Sequence, residues 1–591
     1  METVLNCRRI LYLTTAALLA ASGLNQDLHA QPAFFPLKDL RQGMHGTGRT
    51  VFSGDKVEDF QVEILGVLEN SGPKQSIILA RLSGGPLEKT GVMQGMSGSP
   101  VYIDGRLVGA VAMAFPFSKE PIAGIRPIEE MVAQPSGGKV QAGLPISGKD
   151  LLASFPKREA RGTFDSKLID IATPVSFSGF SAGTLEHFAP QLRSLGLEPR
   201  QGVSGGASTA AKMASGPLQP GSMISVQLAS GDLSIGADGT VTHIDGNRIY
   251  AFGHRFLSVG STELPFARAS VITLLANLSS SFKISSSGEW LGAITSDHNT
   301  AVAGELGRRP RMVPLSIAVN SGGKKSTYQM EIVNDRLLSP LLMQMAMYSA
   351  LDSTERTLGP SSIGLHGTVE FENGPEPVRF DNIYAGDFNT PLLASLATAM
   401  PVAYALQNNL DSLSLKRINL EIDSFPQKKQ MQIDQVWASK RVVHPGEQVE
   451  VAALLAGENG SEVTKRLTYT VPIGAPLGTL YFTVADGSTT NSAEARQFSV
   501  TQPRPAVEIV SFLNGLRGNR KGYLRVWRAD PSYLIDGYDM PDPPPSVSMI
   551  LARGQMSPAA GSRPSTVAEM EFSAGDVVVS GSKTIQVEVK E

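Results

Sequence analysis

The segment GVMQGMSGSPVYIDGRLVGAVA, residues 91–112, places a serine between small residues immediately before a strand-like hairpin. Acyl transfer needs a nucleophilic oxygen beside two backbone N–H groups that receive the developing oxyanion, with no side chains in the way. Ser97 has this setting, since the amides of Gly95 and Ser97 are candidate donors and Gly98 permits a tight turn. The pattern therefore predicts a serine nucleophile, and a polar glycine loop without chemistry is the alternative.

The residues after Ser97 exclude one common serine chemistry. A G-x-S-x-G nucleophile elbow requires glycine two positions after the serine and then a helix. Here Ser99 occupies that position, Pro100 follows, and the chain continues as a strand and hairpin. The pattern that remains is the glycine turn that leads into a strand in two-barrel serine peptidases.

A serine hydroxyl is unreactive at its ordinary pKa and needs a base. His254 follows a strand-like run and a glycine in YAFGHRF, so a strand end would project it over a cleft. His45, in the glycine-rich segment GMHGTG, is the second candidate. His243 alternates with apolar neighbours as a strand residue does, and His298 stands beside Asp297, where it can simply face solvent. The other four histidines lie in the leader, a predicted helix, the accessory region and a turn: His29, His187, His366 and His444.

Two sequence blocks carry a resemblance to a known family. KVEDFQVEILGV with EKTGVMQGMSGSPVYIDGRLVGAV forms one block, and GDLSIGADGTVTHIDGNRIYAFGH forms the other. They resemble the nucleophile and histidine regions of the SpoIVB-type serine peptidases, serine peptidase family 55 of the chymotrypsin-like clan. The resemblance spans two blocks within residues 36–307, and it implies Ser97 as nucleophile and His254 as general base, with no cofactor.

The sequence departs from the family's namesake in two ways. The serine block precedes the histidine block, so the two barrels would be exchanged in sequence; a triad is defined by geometry and tolerates different chain orders. The namesake's aspartate aligns with Ser83. Asp297, in the same block as His254, is the preferred candidate for the acid. Asp245 is the second candidate, and a Ser/His dyad is the third possibility.

Composition limits the classes of function. A chain of 591 residues with 41% hydrophobic residues has room for several cores. A net charge of -3 and the lack of a basic patch argue against a nucleic-acid-binding protein. The only cysteine is Cys7, inside the predicted leader, so the mature chain would have no thiol. Disulfides, cysteine-ligated zinc and cysteine nucleophiles are thereby excluded.

The N-terminal residues predict export. Arg8 and Arg9 precede an apolar run at 10–23, and small or apolar residues flank His29, the order of a cleaved secretory signal. The run is short for a membrane anchor, which is the alternative. The segment PLLASLATAMPVAYAL is interrupted by Pro401 and predicts a buried helix. We expect a periplasmic or secreted protein with no integral membrane segment after signal cleavage.

Local patterns predict several turns and helices. Asp-Gly pairs at 104–105, 238–239 and 245–246 predict tight turns between strands. Residues 181–195 have a helical period that ends at a glycine. Ser339 and Pro340 predict the N-cap and first position of a methionine-rich helix that fills a core.

The predicted fold class is mainly β: a chymotrypsin-like double β-barrel with exchanged barrel order, a small α+β region and a C-terminal immunoglobulin-like β-sandwich. The predicted boundaries are a signal peptide at 1–30, a nucleophile-bearing barrel at 31–134, a linker and helical segment at 135–216, a histidine-bearing barrel at 217–334, an α+β accessory region at 335–430, the sandwich at 431–502 and a C-terminal β or extended region at 503–591.

These features predict a serine endopeptidase that acts on proteins or peptides without a metal, with C-terminal domains available to a cell-envelope partner. The alternative is a catalytically inactive relative that binds or scaffolds envelope components. A metal site built from His254, Asp297 and His298 is a third hypothesis, but its spacing fits no standard zinc pattern.

Overall fold

The computed structural model describes residues 34–133, 168–202, 216–354, 358–407, 413–498, 504–535, 538–541, 543–553 and 563–591. The predicted signal peptide with Cys7, and much of the predicted linker, lie outside these residues. Within them the chain is mainly β, as predicted. No helix in this part of the chain combines the length and apolar character needed to cross a bilayer.

The N-terminal unit contains a closed barrel of six antiparallel strands. The hydrogen-bonded order β4-β1-β2-β3-β6-β5 closes because β5 also pairs with β4. Apolar side chains at alternate positions, such as Phe60, Val62 and Ile64, are buried in its core, as expected for strands with one inward face. The elements are β1 (His45–Val51), β2 (Val57–Gly72), β3 (Gln75–Ser83), α1 (Leu87–Thr90), β4 (Pro100–Ile103), β5 (Arg106–Ala114), β6 (Ile122–Pro127), α2 (Ile128–Val132) and β7 (Ile169–Asp170), which pairs with β5.

The hairpin that follows Ser97 has the predicted turn. Asp104 and Gly105 connect β4 to β5 with φ values of 51° and 73°. Positive φ at both central residues is what a two-residue hairpin of this twist requires, which is why Asp-Gly predicts it. The prediction at 104–105 is confirmed.

A second set of six strands also closes on itself. The antiparallel pairings β10–β13, β13–β14, β14–β15, β15–β12, β12–β11 and β11–β10 form a ring within a sheet of 13 strands. The ring strands are β10 (Met223–Gly231), β11 (Ser234–Asp245), β12 (Arg248–Ala251), β13 (Gly260–Leu275), β14 (Phe282–His298) and β15 (Ala301–Leu306). They are preceded by β8 (Thr173–Ser178), α3 (Ala182–Ser194) and β9 (Leu197–Gln201), and β8 and β9 extend the sheet from β11.

The same sheet continues beyond this ring, first within the segment predicted as the histidine-bearing barrel and then into the segment predicted as an accessory region. It adds β16 (Met312–Ser321), β17 (Lys324–Val333), β18 (Leu358–Phe371), β19 (Val378–Phe388) and β20 (Leu415–Phe425), together with the helices α4 (Leu338–Asp352) and α5 (Thr390–Gln407). Helix α5 contains Pro401 and buries one side, as predicted.

One predicted turn is wrong. Asp238 and Gly239 lie inside β11 and are buried, so the chain does not reverse there. A Cβ at Gly239 would overlap the ring of Phe252, which explains the glycine by close packing rather than by a turn. The Asp245-Gly246 turn does form, between β11 and β12, with φ of 56° at Gly246.

The helix predictions differ in how well they locate the cap. Helix α3 ends before Gly196, which has φ of 82°, as predicted. Ser181 caps its start by accepting the Thr184 amide at 3.2 Å, a cap that the helical period alone does not identify. The predicted cap of α4 is wrong, because Ser339 lies inside that helix. The carboxylate of Asp335 accepts the first amides instead, from Leu337 at 2.8 Å and Leu338 at 2.9 Å.

The C-terminal part consists of two packed sheets. One has the order β24-β23-β21-β29, and the other has β22-β30-β25-β26-β27 with β28 beside β26. Residues on both sides of position 502, including Phe482, Val526 and Val587, share one core. The elements are β21 (Gln430–Ala438), β22 (Val442–Val443), β23 (Gln448–Gly457), β24 (Glu462–Thr470), β25 (Gly478–Asp486), α6 (Gly487–Phe498), α7 (Ala506–Asn514), β26 (Lys521–Ile535), β27 (Tyr538–Pro541), α8 (Pro545–Arg553), β28 (Arg563–Ser573), β29 (Val578–Ser580) and β30 (Ser582–Val589).

The barrel and the six-strand ring pack directly against each other. Leu107 and Ala110 on β5 share a small apolar cluster with Tyr250, Ala301 and Ala303 of the ring. The segment that leads into Ser97 also forms a bridge with the start of β14. We call this contact between the barrel and the ring the seam. The two candidate catalytic segments meet there, although they are far apart in sequence.

Gly239→Ala should destabilise this seam because the new methyl group has to displace the buried Phe252 ring. We expect the free energy of unfolding to fall by about 1–3 kcal/mol, as for other overpacked cores. The midpoint of thermal unfolding measures the change. Gly216→Ala is the matched control, since a Cβ there meets no atom within 4 Å; equal midpoints for the two variants would contradict the packing argument.

Candidate active site

Some backbone amides of the 95–99 loop donate hydrogen bonds and others do not. Met96, Gly98 and Ser99 donate to the carbonyls of Met93, Val111 and Met96, at 3.1, 2.7 and 2.9 Å. The amides of Gly95 and Ser97 have no acceptor among the described residues. The Ser97 hydroxyl is buried and likewise has no hydrogen-bond partner in the described part of the chain.

Strand β11 holds this loop in place from the other side of the seam. Thr240 donates its backbone N–H to Ser97 O at 2.9 Å and its hydroxyl to Gly95 O at 2.9 Å. Thr242 donates its hydroxyl to Gly98 O at 2.7 Å. Three carbonyls of the loop are thus fixed by one strand, which sets the direction of the intervening amides.

Gly98 is required by the closeness of this contact. A Cβ at Gly98 would overlap the Thr240 carbonyl and lie 2.6 Å from the Phe252 nitrogen. The residue also has φ of 93°, which side chains disfavour. Only glycine lets the nucleophile loop approach β11 and the histidine segment this closely.

The histidine segment leaves β12 through two residues with left-handed backbone. Phe252 has φ of 67° and Gly253 has φ of 70°. Phe252 donates its amide to Thr240 O at 3.2 Å, so β11 contacts this segment as well as the serine loop. A Cβ at Gly253 would lie 3.1 Å from the methyl groups of Ala110 and Ala112 on β5. This sharp turn directs His254 into the buried seam.

The tautomer of His254 is set by a backbone carbonyl. Its Nδ1 lies 2.7 Å from Arg255 O. A carbonyl can only accept, so Nδ1 carries the hydrogen and Nε2 keeps its lone pair. The Phe252 ring stacks on the imidazole at 6.0 Å between centroids and fixes its plane. The imidazole is therefore held in the form that a general base needs.

Asp297, the predicted acid, is bound to the loop that follows His254. One carboxylate oxygen accepts the Phe256 amide at 2.8 Å, and the other accepts Leu257 at 2.7 Å and Val259 at 3.2 Å. Burial raises the pKa of Asp297, and the hydrogen bonds from these amides act in the opposite direction. The carboxylate thus organises the backbone next to the histidine.

The other candidates have surroundings that differ from those of Ser97 and His254. His45 is exposed at the start of β1 opposite Glu63, and Ser83 and Asp245 are exposed at strand ends. His243 is half-buried and stacks on Tyr250 at 6.2 Å. His298 ends β14 beside Asp297, and the described residues contain no group of three or more His, Cys, Asp or Glu side chains suited to a metal ion.

Ser97 and His254 are both 0% exposed. A cleft of about 390 Å³ opens beside the loop that carries Ser97, with Gln94 among its lining residues. The exposed apolar side chains Phe117 and Leu278 also line it. A peptide in this cleft would lie next to the nucleophile loop, and a small displacement at the seam would be needed to expose Ser97.

The polar residues that build the seam are not recognisable from the sequence. Thr240, Thr242 and Thr50 have no local pattern that distinguishes them from ordinary strand residues. Asp238 was interpreted as part of a turn. Lys283 follows Phe282 in a strand-like run. A charged residue at a buried strand position was the one signal that could have pointed to it.

Residues 37–132 match the family model described as SpoIVB peptidase S55. The match confirms the resemblance over the segment that carries Ser97 and supports a serine peptidase; His254 and Asp297 lie outside it. No curated protein and no solved structure matches the chain.

Asp297→Asn should loosen the loop after His254. An amide side chain offers one acceptor oxygen, so at least one of the three buried backbone donors faces an NH₂ group. Each unsatisfied buried amide costs about 1–3 kcal/mol. We expect faster hydrogen exchange at residues 256, 257 and 259. Asp245→Asn, at an exposed turn, is the matched control, and unchanged exchange in Asp297→Asn would exclude this role.

Proposed function

We propose that this protein is a secreted or periplasmic serine endopeptidase. Ser97 attacks the peptide carbonyl, His254 accepts the hydroxyl proton at Nε2, and the Gly95 and Ser97 amides stabilise the tetrahedral oxyanion. The observation that carries the proposal is the loop at 95–99, where these two amides and the Ser97 hydroxyl have no partner in the described residues while the neighbouring amides are bound.

The proton movements follow from the His254 geometry. Nε2 takes the proton from Ser97 as the C–O bond forms, and returns it to the leaving amine as the peptide C–N bond breaks. Water then attacks the acyl-enzyme with the same imidazole as base. Arg255 O holds Nδ1–H in the orienting role that the carboxylate has in a full triad. We therefore propose that the Arg255 carbonyl orients the imidazole and that Asp297 positions the adjacent loop.

The fold supports the same proposal. We propose that the closed barrel and the six-strand ring are the two barrels of a chymotrypsin-like peptidase in exchanged order, with the substrate between them. We also propose that the two C-terminal sheets are an immunoglobulin-like sandwich and its extension, and that they dock a cell-envelope partner. Fold alone does not establish this last role.

A second candidate function is a catalytically inactive envelope-binding or scaffold protein. The complete burial of Ser97 and His254 favours it, because a substrate carbonyl cannot reach the hydroxyl without displacement of the seam. The two candidates differ in one measurable property, the reactivity of the Ser97 hydroxyl toward an acylating or phosphonylating reagent.

A fluorophosphonate probe should label the wild-type chain covalently at Ser97, and Ser97→Ala should abolish the labelling. Ser395→Ala is the matched control, because Ser395 is equally buried but lies in α5, where it donates to Leu392 O at 3.0 Å. We expect that variant to retain labelling. Absence of labelling in the wild-type chain at every pH would favour the scaffold.

His254→Ala should reduce the rate of labelling by roughly 10⁴-fold or more, since the serine loses its general base. His45→Ala should leave the rate unchanged, because His45 is exposed and distant from the seam along β1. Rates of probe incorporation measured by mass spectrometry make the comparison. The reverse result would assign the base to His45.

Phe117→Asp should raise the KM for peptide substrates without changing the rate of labelling by a small fluorophosphonate. Phe117 is 58% exposed at the cleft, where a charge would oppose an apolar peptide side chain. Phe388→Asp, on an aromatic residue that is 76% exposed outside the cleft, is the control. Equal KM values for the two variants would place the substrate elsewhere.

A further inference from the structure

Lys283 is a buried lysine at the seam. Its side chain is 2% exposed, near the start of β14. Lysine is almost never fully buried without a paired charge or a function, because desolvating the ammonium group is costly. The proposed acyl transfer does not use this residue, so its location requires a separate explanation.

The contacts of Lys283 surround the nucleophile loop. Its backbone amide donates to Gln94 O at 3.2 Å. Its methylene groups pack where a Gly95 side chain would be, 3.2–3.4 Å from the position of a Cβ. Its Nζ donates to Thr50 Oγ1 at 2.8 Å, and the same oxygen accepts the Ser99 hydroxyl at 3.1 Å. One side chain thus connects both ends of the loop that contains Ser97.

Asp238 provides the opposing charge. It is buried on β11, two residues before Thr240, and it accepts a hydrogen bond from the Ser285 hydroxyl. It interacts electrostatically with the Lys283 ammonium. The strand that fixes the loop carbonyls therefore also carries the carboxylate that balances the lysine.

Both groups are held at a cost to stability. Burial lowers the pKa of Lys283 to about 7, and Asp238 acts in the opposite direction. Burial raises the pKa of Asp238 to about 6, and hydrogen bonds from Ser225 and Ser285 oppose this. Asp238 is the charged group that acts on Lys283 among the described residues; Thr50, Ser99 and the Gln94 carbonyl, which also face it, are neutral.

Lys283 and Asp238 change the stability of the fold with pH in opposite directions. Between about pH 7 and 10.5 the unfolded chain holds a lysine proton that the folded chain has lost, so stability rises with pH there. Between pH 3.8 and about 6 the folded chain keeps an aspartate proton that the unfolded chain has lost, so stability falls as pH rises. The pair therefore costs most stability between about pH 6 and 7, when both groups are charged.

We propose that Lys283 is a positioning residue that holds the 95–99 loop, through Thr50 and Ser99, in the geometry where the Gly95 and Ser97 amides face the oxyanion. The proposal rests on the proposed peptidase function. A buried pair that destabilises the fold while it orders a catalytic loop has the pattern of a functional site rather than of a structural ion pair.

The test compares Lys283→Met, Asp238→Asn and the double variant in the full chain. Methionine keeps much of the stem that packs on Gly95 and removes the charge. We expect the double variant to react with a fluorophosphonate about 10- to 100-fold more slowly, because a loop displaced by about 1 Å loses this much rate. Its midpoint of thermal unfolding should be equal to or above that of the wild-type chain, because both buried charges are gone.

The pH profile and a surface control separate positioning from a structural role. Wild-type labelling should decline above about pH 7 as Lys283 deprotonates, and this decline should be absent in Lys283→Met. Lys325→Met, on an exposed lysine that pairs with Glu421, should change neither property. A double variant that labels within 2-fold of wild type, or that loses rate and thermal midpoint together, would overturn the proposal.

Hydrogen exchange distinguishes failure of this inference from failure of the proposed function. If the wild-type chain is never labelled, the peptidase proposal fails, but Lys283→Met should still exchange the amides of residues 95–99 faster than Lys325→Met does. Unchanged exchange in that loop would reject the positioning role whether or not Ser97 reacts.

Discussion

The hydrogen bonding between β11 and the serine loop is the constraint on which the rest of the candidate site depends. Thr240 binds the carbonyls of Ser97 and Gly95, and its own carbonyl accepts the amide of Phe252. A single strand residue therefore positions the nucleophile loop and the segment that leads to His254. Because this contact requires Gly98, Gly239 and Gly253 to lack side chains, the glycines at the seam are a consequence of close packing as much as of chain flexibility.

The seam also explains how two distant segments can form one site in either chain order. The barrel has its own apolar core, whereas the ring shares one core with α4, α5, α7 and the strands beyond it. The candidate site depends on the surface that each unit presents to the other. The barrel presents the 95–99 loop, and the ring presents β11 with the turn before His254. A catalytic group is defined by geometry, so a contact of this kind does not depend on which unit comes first in the sequence.

Features set by local backbone chemistry could be predicted from the sequence, and features set by tertiary contacts could not. The turn at 104–105 and the capped helix α3 follow from residue types that impose φ values or supply a cap. The Asp238-Gly239 pair has the residue types of a tight turn but lies inside β11. The Phe252 ring occupies the space beside Gly239, and Asp238 is buried near Lys283. Lys283 donates a hydrogen bond to Thr50, which is 233 residues away in sequence. The pattern of apolar and polar residues along a strand cannot reveal such a pair.

The group that orients His254 has no signature in the sequence. The partner of His254 Nδ1 is the backbone carbonyl of Arg255, which every residue type possesses, and not a carboxylate, which a sequence pattern could reveal. Asp297 was found in the correct neighbourhood, but its oxygens hold the amides at 256, 257 and 259. A carboxylate that fixes the loop and a carbonyl that fixes the tautomer together orient the imidazole. In the proposed reaction the oriented imidazole would move the proton, and the amides of Gly95 and Ser97 would stabilise the charge that develops on the substrate oxygen.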